Sequence, residues 1–410
     1  MKHLALLFAF AIIIVGGSSC EKIGDEDLQD NPYKKLSLTT RSSDFASKGN
    51  AFAFNYIDRV NDAVEGDFFI SPLSMQFLLG MVLNGAREQT ADEICSVLGY
   101  GKGEIDAVND YCLSMLKQLP DLDKRTKLTI ANAIFVNKDY SLLNSYKTDV
   151  GKFYEAEVEN LDFSKNSSST KAINKWCSDH TKGLVPEIID SVDPRILAYL
   201  LNAMYFKSQW KEKFPKGNTS KETFTDERGV KTTVQMMKNE KRFAYQDDDV
   251  IRAVCLPYGN GAYSMMVILP AEGKTLSDVT NYLEMNTWED FQRRMVMCDV
   301  DLKLPKFETK FEITLNDILS AMGMPSAFDP MKADFKAMSD AAMCLSVVKQ
   351  KAAIKVDEEG TEAAVVSMTG MAMAAYPGDH IVFHADRPFL YLITESSTGA
   401  ILFAGKFSGR

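Results

Sequence analysis

Apolar residues along this chain recur at helical intervals first and at strand-like intervals later. Between residues 51 and 64 they fall three and four apart, which places them on one face of a helix. Ser71 followed by Pro72 reads as a helix start: the serine oxygen can accept an otherwise unpaired backbone N–H, and proline fits the first turn. Residues 77–83 are almost wholly apolar, so that helix is expected to be buried on every side. Thr90-Ala91-Asp92-Glu93 has the form of a capping box and predicts a short helix over 90–98. A helix over 169–190 is expected to turn Ile173, Trp176 and Cys177 to one side, and residues 311–322 read as another, stopped by Gly323 and Pro325. Strand signals cover 127–136, 198–206, 299–307 and 345–356. Residues 254–256 and 263–269 flank Tyr258-Gly259-Asn260-Gly261, a hairpin turn, and 381–383, 389–394 and 401–407 close the chain. Helices gather in the first half and strands in the second, without an internal repeat. That predicts one large α+β domain with mainly antiparallel sheets.

The N-terminus is a different kind of segment. Lys2 precedes an apolar run over 4–15, then Gly16, Gly17, Ser18, Ser19 and Cys20. The run is short for a membrane span and fits a secretory signal with a small-residue cleavage region. The placement of Cys20 resembles the lipobox of bacterial lipoproteins, although Gly17 stands where leucine or valine is usual. The resemblance implies a signal peptide over 1–20 and lipidation of Cys20, with the mature chain held at a bacterial membrane and displayed at the cell surface; an ordinary cleavage site, with a secreted or periplasmic product, is the alternative. Residues 21–44 are polar, with Asp25, Glu26, Asp27 and Asp30 close together, and read as a flexible tether ahead of a body over 45–410.

The chain has 410 residues, 46% hydrophobic and 25% charged, an ordinary globular composition. A net charge of −10 argues against a nucleic-acid partner, because phosphate affinity comes from Lys and Arg. Cys95, Cys112, Cys177, Cys255, Cys298 and Cys344 form no CxxC pair and no Cys/His ligand set, so buried free thiols are expected and no metal or other cofactor. Beyond the signal segment the histidines are His180, His380 and His384, none in a catalytic motif. The chain is not expected to be an enzyme.

Several motifs carry a resemblance to a known family. They are Phe69-Ile70-Ser71-Pro72-Leu73-Ser74; Asn202-Ala203-Met204-Tyr205-Phe206-Lys207-Ser208-Gln209-Trp210; Met236-Met237-Lys238; residues 301–307; and Arg387-Pro388-Phe389 with Leu402-Phe403-Ala404-Gly405-Lys406. In this order they resemble the serpin family over residues 45–410. The resemblance implies three β-sheets, about eight or nine helices and an exposed reactive-centre loop. It also implies an inhibitor that is cut as a substrate, inserts the cut loop as a new strand in its central sheet, and so traps the acyl-enzyme. Its partner would be the target protease, and the protein a monomer.

The segment from Asp357 to Tyr376 supports that expectation on its own chemistry. The hinge would comprise Glu358, Gly360, Thr361, Glu362, Ala363, Ala364, Val365 and Val366. A strand inside a sheet buries alternate residues, and from Thr361 that set is Thr361, Ala363, Val365, Ser367 and Thr369, all small or β-branched and uncharged. Gly360 is expected to permit the sharp turn of the hinge. An ordinary surface loop of this length would carry more Gly, Pro, Asn and Asp. The family's count from its hinge glutamate, here Glu358, puts the bait residue at Ala374, before Ala375; Met373 and Tyr376 are alternatives. Such residues suit elastase-like proteases or others with small apolar pockets, and cysteine proteases of the papain type stay open. Trypsin-like proteases do not fit, since no Lys or Arg lies between Lys355 and Arg387.

The resemblance assigns Ser71, Ser74, Asn202 and Gln350 to the polar contacts beneath the sheet's middle strands, and Trp210 to the point where the loop first enters. Gln350 stands where the family usually has histidine, which argues against a pH-sensitive latch there. Heparin activation is not expected, because residues 105–116 carry Asp106 and Asp110 and no base before Lys117. The competing expectation is a non-inhibitory serpin acting as a binding or chaperone-like module.

Overall fold

A computed structural model describes residues 30–285, 288–361 and 380–410. Its helices are α1 (Thr40–Ala63), α2 (Pro72–Gly85), α3 (Glu88–Val97), α4 (Ile105–Gln118), α5 (Asn144–Tyr154), α6 (Asn166–His180), α7 (Leu276–Met285), α8 (Trp288–Arg293) and α9 (Asn316–Met322). Its strands are β1 (Phe68–Ile70), β2 (Lys127–Asn137), β3 (Glu157–Leu161), β4 (Ala198–Gln209), β5 (Ser220–Thr225), β6 (Lys231–Asp247), β7 (Ile251–Tyr258), β8 (Tyr263–Pro270), β9 (Val296–Pro305), β10 (Phe307–Thr314), β11 (Lys349–Asp357), β12 (Gly360–Thr361), β13 (His380–His384), β14 (Phe389–Glu395) and β15 (Ile401–Phe407).

Two hydrogen-bonded ladders organise the α+β body. One runs β10-β11-β12-β4-β2-β3. The other runs β1-β15-β14-β8-β7-β6-β9-β13, with β5 on β6. The expected second and third sheets both appear within the latter. The long β6 joins them: Met236–Tyr245 pairs with β9, and Ala244–Asp247 with β7.

The strands of the inner group show why the core sits where it does. Every residue of β1, β8, β14 and β15 is buried, as expected for strands covered on both faces. All fourteen residues of α2 are buried as well, and the helix packs on β15 on one side and β4 on the other. It begins as its sequence predicts. Pro72 occupies the first turn, and Ser71 Oγ accepts from Ser74 N at 3.1 Å. A smaller apolar cluster lies on the far face of the β4 sheet, where Ile173, Trp176 and Cys177 of α6 meet Phe135, Val185 and Ile188.

Several expected boundaries shift. The 169–190 helix stops at His180, because Thr181 Oγ1 donates to Cys177 O at 2.8 Å and accepts from Val185 N at 3.1 Å, and Gly183 turns away with φ of 81°. Thr90 is no cap: α3 starts at Glu88, and the buried Thr90 hydroxyl accepts from Asp334 N at 3.0 Å. Residues 311–314 belong to β10, paired with Lys349–Ala352, so the helix there begins only at Asn316. The packed body also begins before residue 45. Helix α1 starts at Thr40, and Asn31 and Leu36 are already buried, Asn31 through its side-chain bonds to Asp123 and Lys124 and Leu36 as part of the apolar core.

Candidate functional site

The site forms where β11 ends. After Asp357 the chain reverses through Glu358-Glu359 and returns as β12, antiparallel to β11 with Asp357 opposite Gly360 and Val356 opposite Thr361. On its other side β12 pairs with β4, Gly360 opposite Gln209 and Thr361 opposite Ser208. Two residues thus stand as a strand between β11 and β4. The turn itself is made by the two glutamates, not by Gly360. The glycine is needed for a different reason: a Cβ there would lie 2.2 Å from Ser208 O and 2.6 Å from Gln209 Cα, backbone atoms that cannot swing aside.

Trp210 holds this corner. Its Nε1 donates to Asp357 O at 2.8 Å, its backbone N to Glu359 O at 3.0 Å, and its ring stacks on Tyr258 with centroids 4.5 Å apart. The Tyr258 and Thr361 hydroxyls lie 2.6 Å apart, both residues buried. Burial would push the Glu358 carboxyl up, but Lys306 Nζ at 2.7 Å and Thr219 Oγ1 at 2.8 Å donate to it and leave it below the ordinary carboxylate range. Lys213 Nζ at 2.8 Å and Lys216 Nζ at 2.9 Å lower the Glu359 carboxyl too. The hinge is therefore clamped at both turn residues.

Beyond Thr361, β4 and β11 share no register among the described residues. Leu200–Met204 and Lys349–Ala352 face each other across a narrow cavity of about 40 Å³ above the start of α2. Ser71 and Gln350 meet there. Gln350 Nε2 donates to Ser71 O at 3.0 Å, and its Oε1 accepts from Ser71 N and Tyr56 OH, each at 3.1 Å. Ser71 Oγ donates to Leu402 O at 2.7 Å, linking the contact to β15. Ser74 lines the same cavity but joins through its backbone N. Asn202 is turned to the opposite neighbour: its Nδ2 donates to Asn132 Oδ1 of β2 at 2.8 Å, while its buried Oδ1 finds no partner among the described residues. The four residues line one space, and Ser71 bonds directly to both Ser74 and Gln350.

The remaining sequence-predicted site residues, Glu362, Ala363, Ala364, Val365, Val366, Met373, Ala374, Ala375, Tyr376 and Cys20, lie outside the described residues. Tyr56, Tyr258, Lys213, Lys216, Thr219 and Lys306 are site residues the sequence reading missed. Only Tyr258 had a signal, its place at the start of the hairpin turn. The six cysteines form no disulfide, and burial raises the Cys95 thiol to about 11 and the Cys112 thiol to about 12. Among the described residues no group of His, Cys, Asp and Glu could hold a metal ion.

Comparisons with known proteins agree with this geometry. The family model "Serpin (serine protease inhibitor)" matches residues 47–409. Serpin B6 of Macaca fascicularis is 34% identical over 374 residues, covering 88% of this chain and 98% of the relative. The leukocyte elastase inhibitor of Homo sapiens is 32% identical over 355 residues, covering 84% and 93%. Among solved structures, the thermophilic serpin tengpin in its native state superposes with a TM-score of 0.80 at 28% identity, covering 92% of this chain and 96% of that one. Thyroxine-binding globulin in complex with thyroxine gives 0.78 at 29%, covering 88% and 98%. A strand beginning between β11 and β4, on a body matched from end to end, identifies the chain as a member of the serpin family.

Proposed function

We propose that this protein inhibits proteases as a suicide substrate: a protease cuts the loop near Ala374-Ala375, and the freed segment enters the sheet between β4 and β11 before the acyl-enzyme is hydrolysed. The observation that carries this is β12, which already pairs with both strands at Gly360 and Thr361. Continued in the same register, residue 363 would stand between Phe206 and Ile354, 365 between Met204 and Ala352, and 367 between Asn202 and Gln350. Those positions are Ala363, Val365 and Ser367, small and uncharged, so burying them leaves no unpaired charge. Ser367 would also offer a hydroxyl to the unpartnered Asn202 Oδ1.

Ala374, with Met373 and Tyr376 beside it, favours proteases with small or medium apolar pockets, and the likeness to leukocyte elastase inhibitors supports that class. The Cys20 context supports lipid anchoring of the mature chain at a bacterial membrane, which mass spectrometry of the mature N-terminus would test. For inhibition the test is to mix the protein with pancreatic elastase and run a denaturing gel. A covalent complex that survives detergent is expected. Cleavage near Ala374 with no complex would refute trapping, and a non-inhibitory binding module would give neither complex nor inhibition.

A further inference from the structure

The chain ahead of α1 runs outside any helix or strand along the body and reaches the neighbourhood of the insertion cleft. Asn31 Nδ2 donates to Asp123 Oδ1 at 2.7 Å, and Asn31 Oδ1 accepts from Lys124 N at 3.0 Å. Asn260 Nδ2 donates to Pro32 O at 3.0 Å and to Leu122 O at 2.8 Å. Further along, Leu36 is buried, and Ser37 exchanges two hydrogen bonds with the Gln118 amide.

Asp123 connects this strap to Thr361 by two routes, one through Ser208 of β4 and one through the turn after Tyr258. Its carboxylate is buried and also accepts from Thr126 Oγ1 at 2.7 Å and Asn260 N at 3.3 Å. Thr126 Oγ1 lies 2.7 Å from Ser208 Oγ, and Ser208 is the β4 residue opposite Thr361. Asn260 belongs to the turn after Tyr258, whose hydroxyl meets Thr361, and Gly259 N of that turn donates to Gln209 O at 2.9 Å. Asn31 is thus one bond from a buried carboxylate that braces the β4 wall at Ser208 and Gln209 and the turn that holds Tyr258 against the first inserted residue.

Between the buried Asn31 and Leu36, residues 32–35 are exposed and lie outside any helix or strand, held to the body through Pro32 O and through Lys34 Nζ, which donates to Asp121 O at 3.0 Å. They include Lys34 and Lys35. An irregular, exposed segment with basic residues is what a trypsin-like protease binds and cuts. The bait segment offers such a protease nothing, since no Lys or Arg lies between Lys355 and Arg387.

We propose that Lys34–Lys35 is a processing site for trypsin-like proteases, and that the cut loosens the mouth of the cleft and speeds loop insertion. Water adds across the Lys34–Lys35 peptide bond, leaving a carboxylate on Lys34 and an ammonium on Lys35. The Asn31 side then has no covalent link to the body, while Leu36 and Ser37 keep theirs. Its departure removes one donor from Asp123 and one acceptor from Asn260. The cut also separates the body from everything N-terminal to it. The effect on insertion rests on the function proposed above; the cut does not.

The experiment treats the full chain with a limiting dose of trypsin and follows intact mass together with the spontaneous appearance of a heat-resistant form at 37 °C. A product beginning at Lys35 or Leu36 is expected, converting on the order of tenfold faster than uncut protein. Asn31→Ala should convert at a similarly raised rate without any cut. In the Lys34→Gln, Lys35→Gln double variant trypsin can still cut at Lys22, and that product should convert at the uncut rate. A first cut within the body, or equal conversion rates for cut, Asn31→Ala and uncut protein, overturns the proposal. Elastase cleavage of the bait serves as the control: if it brings no rise in heat resistance, insertion itself is refuted, and the mass data alone decide the processing site.

Discussion

Replacing Gly360 with alanine tests the hinge at the point of its tightest fit. The new Cβ would sit 2.2 Å from Ser208 O, 2.6 Å from Gln209 Cα and 3.0 Å from Trp210 N. All three are backbone atoms of β4 or its continuation; β2 pairs with β4 as far as Lys207, Gln209 O accepts from Gly259 N at 2.9 Å, and Trp210 stacks on Tyr258, so the sheet cannot yield locally. The variant must withdraw β12 from between its neighbours. Overpacking of this kind costs about 1–3 kcal/mol. Withdrawal also breaks the Tyr258–Thr361 hydroxyl contact, about 1 kcal/mol more. At 1.4 kcal/mol per factor of ten, the total of about 2–4 kcal/mol slows insertion by roughly thirtyfold to several hundredfold. The loop remains a substrate, so slower insertion gives hydrolysis more time. Titration with elastase, read on a denaturing gel, should show cleaved inhibitor accumulating at the expense of covalent complex. An unchanged ratio of complex to cleaved product would refute the reasoning.

Three further outcomes follow from the same geometry. Thr361→Arg places a charge in a buried position against Tyr258 and should turn the protein into a substrate whose cleavage no longer brings a large rise in thermal midpoint, as scanning calorimetry and the same gel would show. Gln350→Ala strips partners from Ser71 N, Ser71 O and Tyr56 OH and should cost on the order of 3 kcal/mol in urea unfolding; a loss under about 0.5 kcal/mol would contradict the role assigned to that contact. Glu358 and Glu359 are held below the ordinary carboxylate range, so their contribution is complete above the unfolded value of about 4.3 and fades as pH falls below it. Thermal melts should therefore be flat from neutral pH to about 5 and drop in acid. In Lys306→Met, burial of Glu358 without its cation should move that drop to higher pH, and an identical profile would argue against the clamp.

The fold was largely legible because its signals are local. Ser71-Pro72, the apolar run of α2 and the Tyr258–Gly261 turn each specify their own backbone, and the structure keeps all three. The failures arose where a distant partner decides. Thr90 looks like a cap but serves Asp334, 244 positions away. Residues 311–314 carry a pattern that suits a helix until β11 supplies a ladder. At the site, the small uncharged character of the hinge could be read directly, because a strand in a sheet must bury alternate residues. The lysines around Glu358 and Glu359 could not. Lys213 and Lys216 reach the hinge from one stretch of chain and Lys306 from another some ninety residues on, and isolated lysines carry no spacing signal. The role of Gly360 was half legible: its need was visible, but the backbone contact with β4 that creates the need belongs to the tertiary structure.

The central claim is that the loop becomes a strand between β4 and β11, and amide hydrogen exchange measures this most directly. Exchange along Ala198–Gln209 and Lys349–Asp357 would be compared before and after elastase cuts the bait. New ladder bonds on the facing edges of both strands should slow exchange along their whole length, together with a large rise in thermal midpoint. Unchanged exchange in these two strands after quantitative cleavage would contradict insertion.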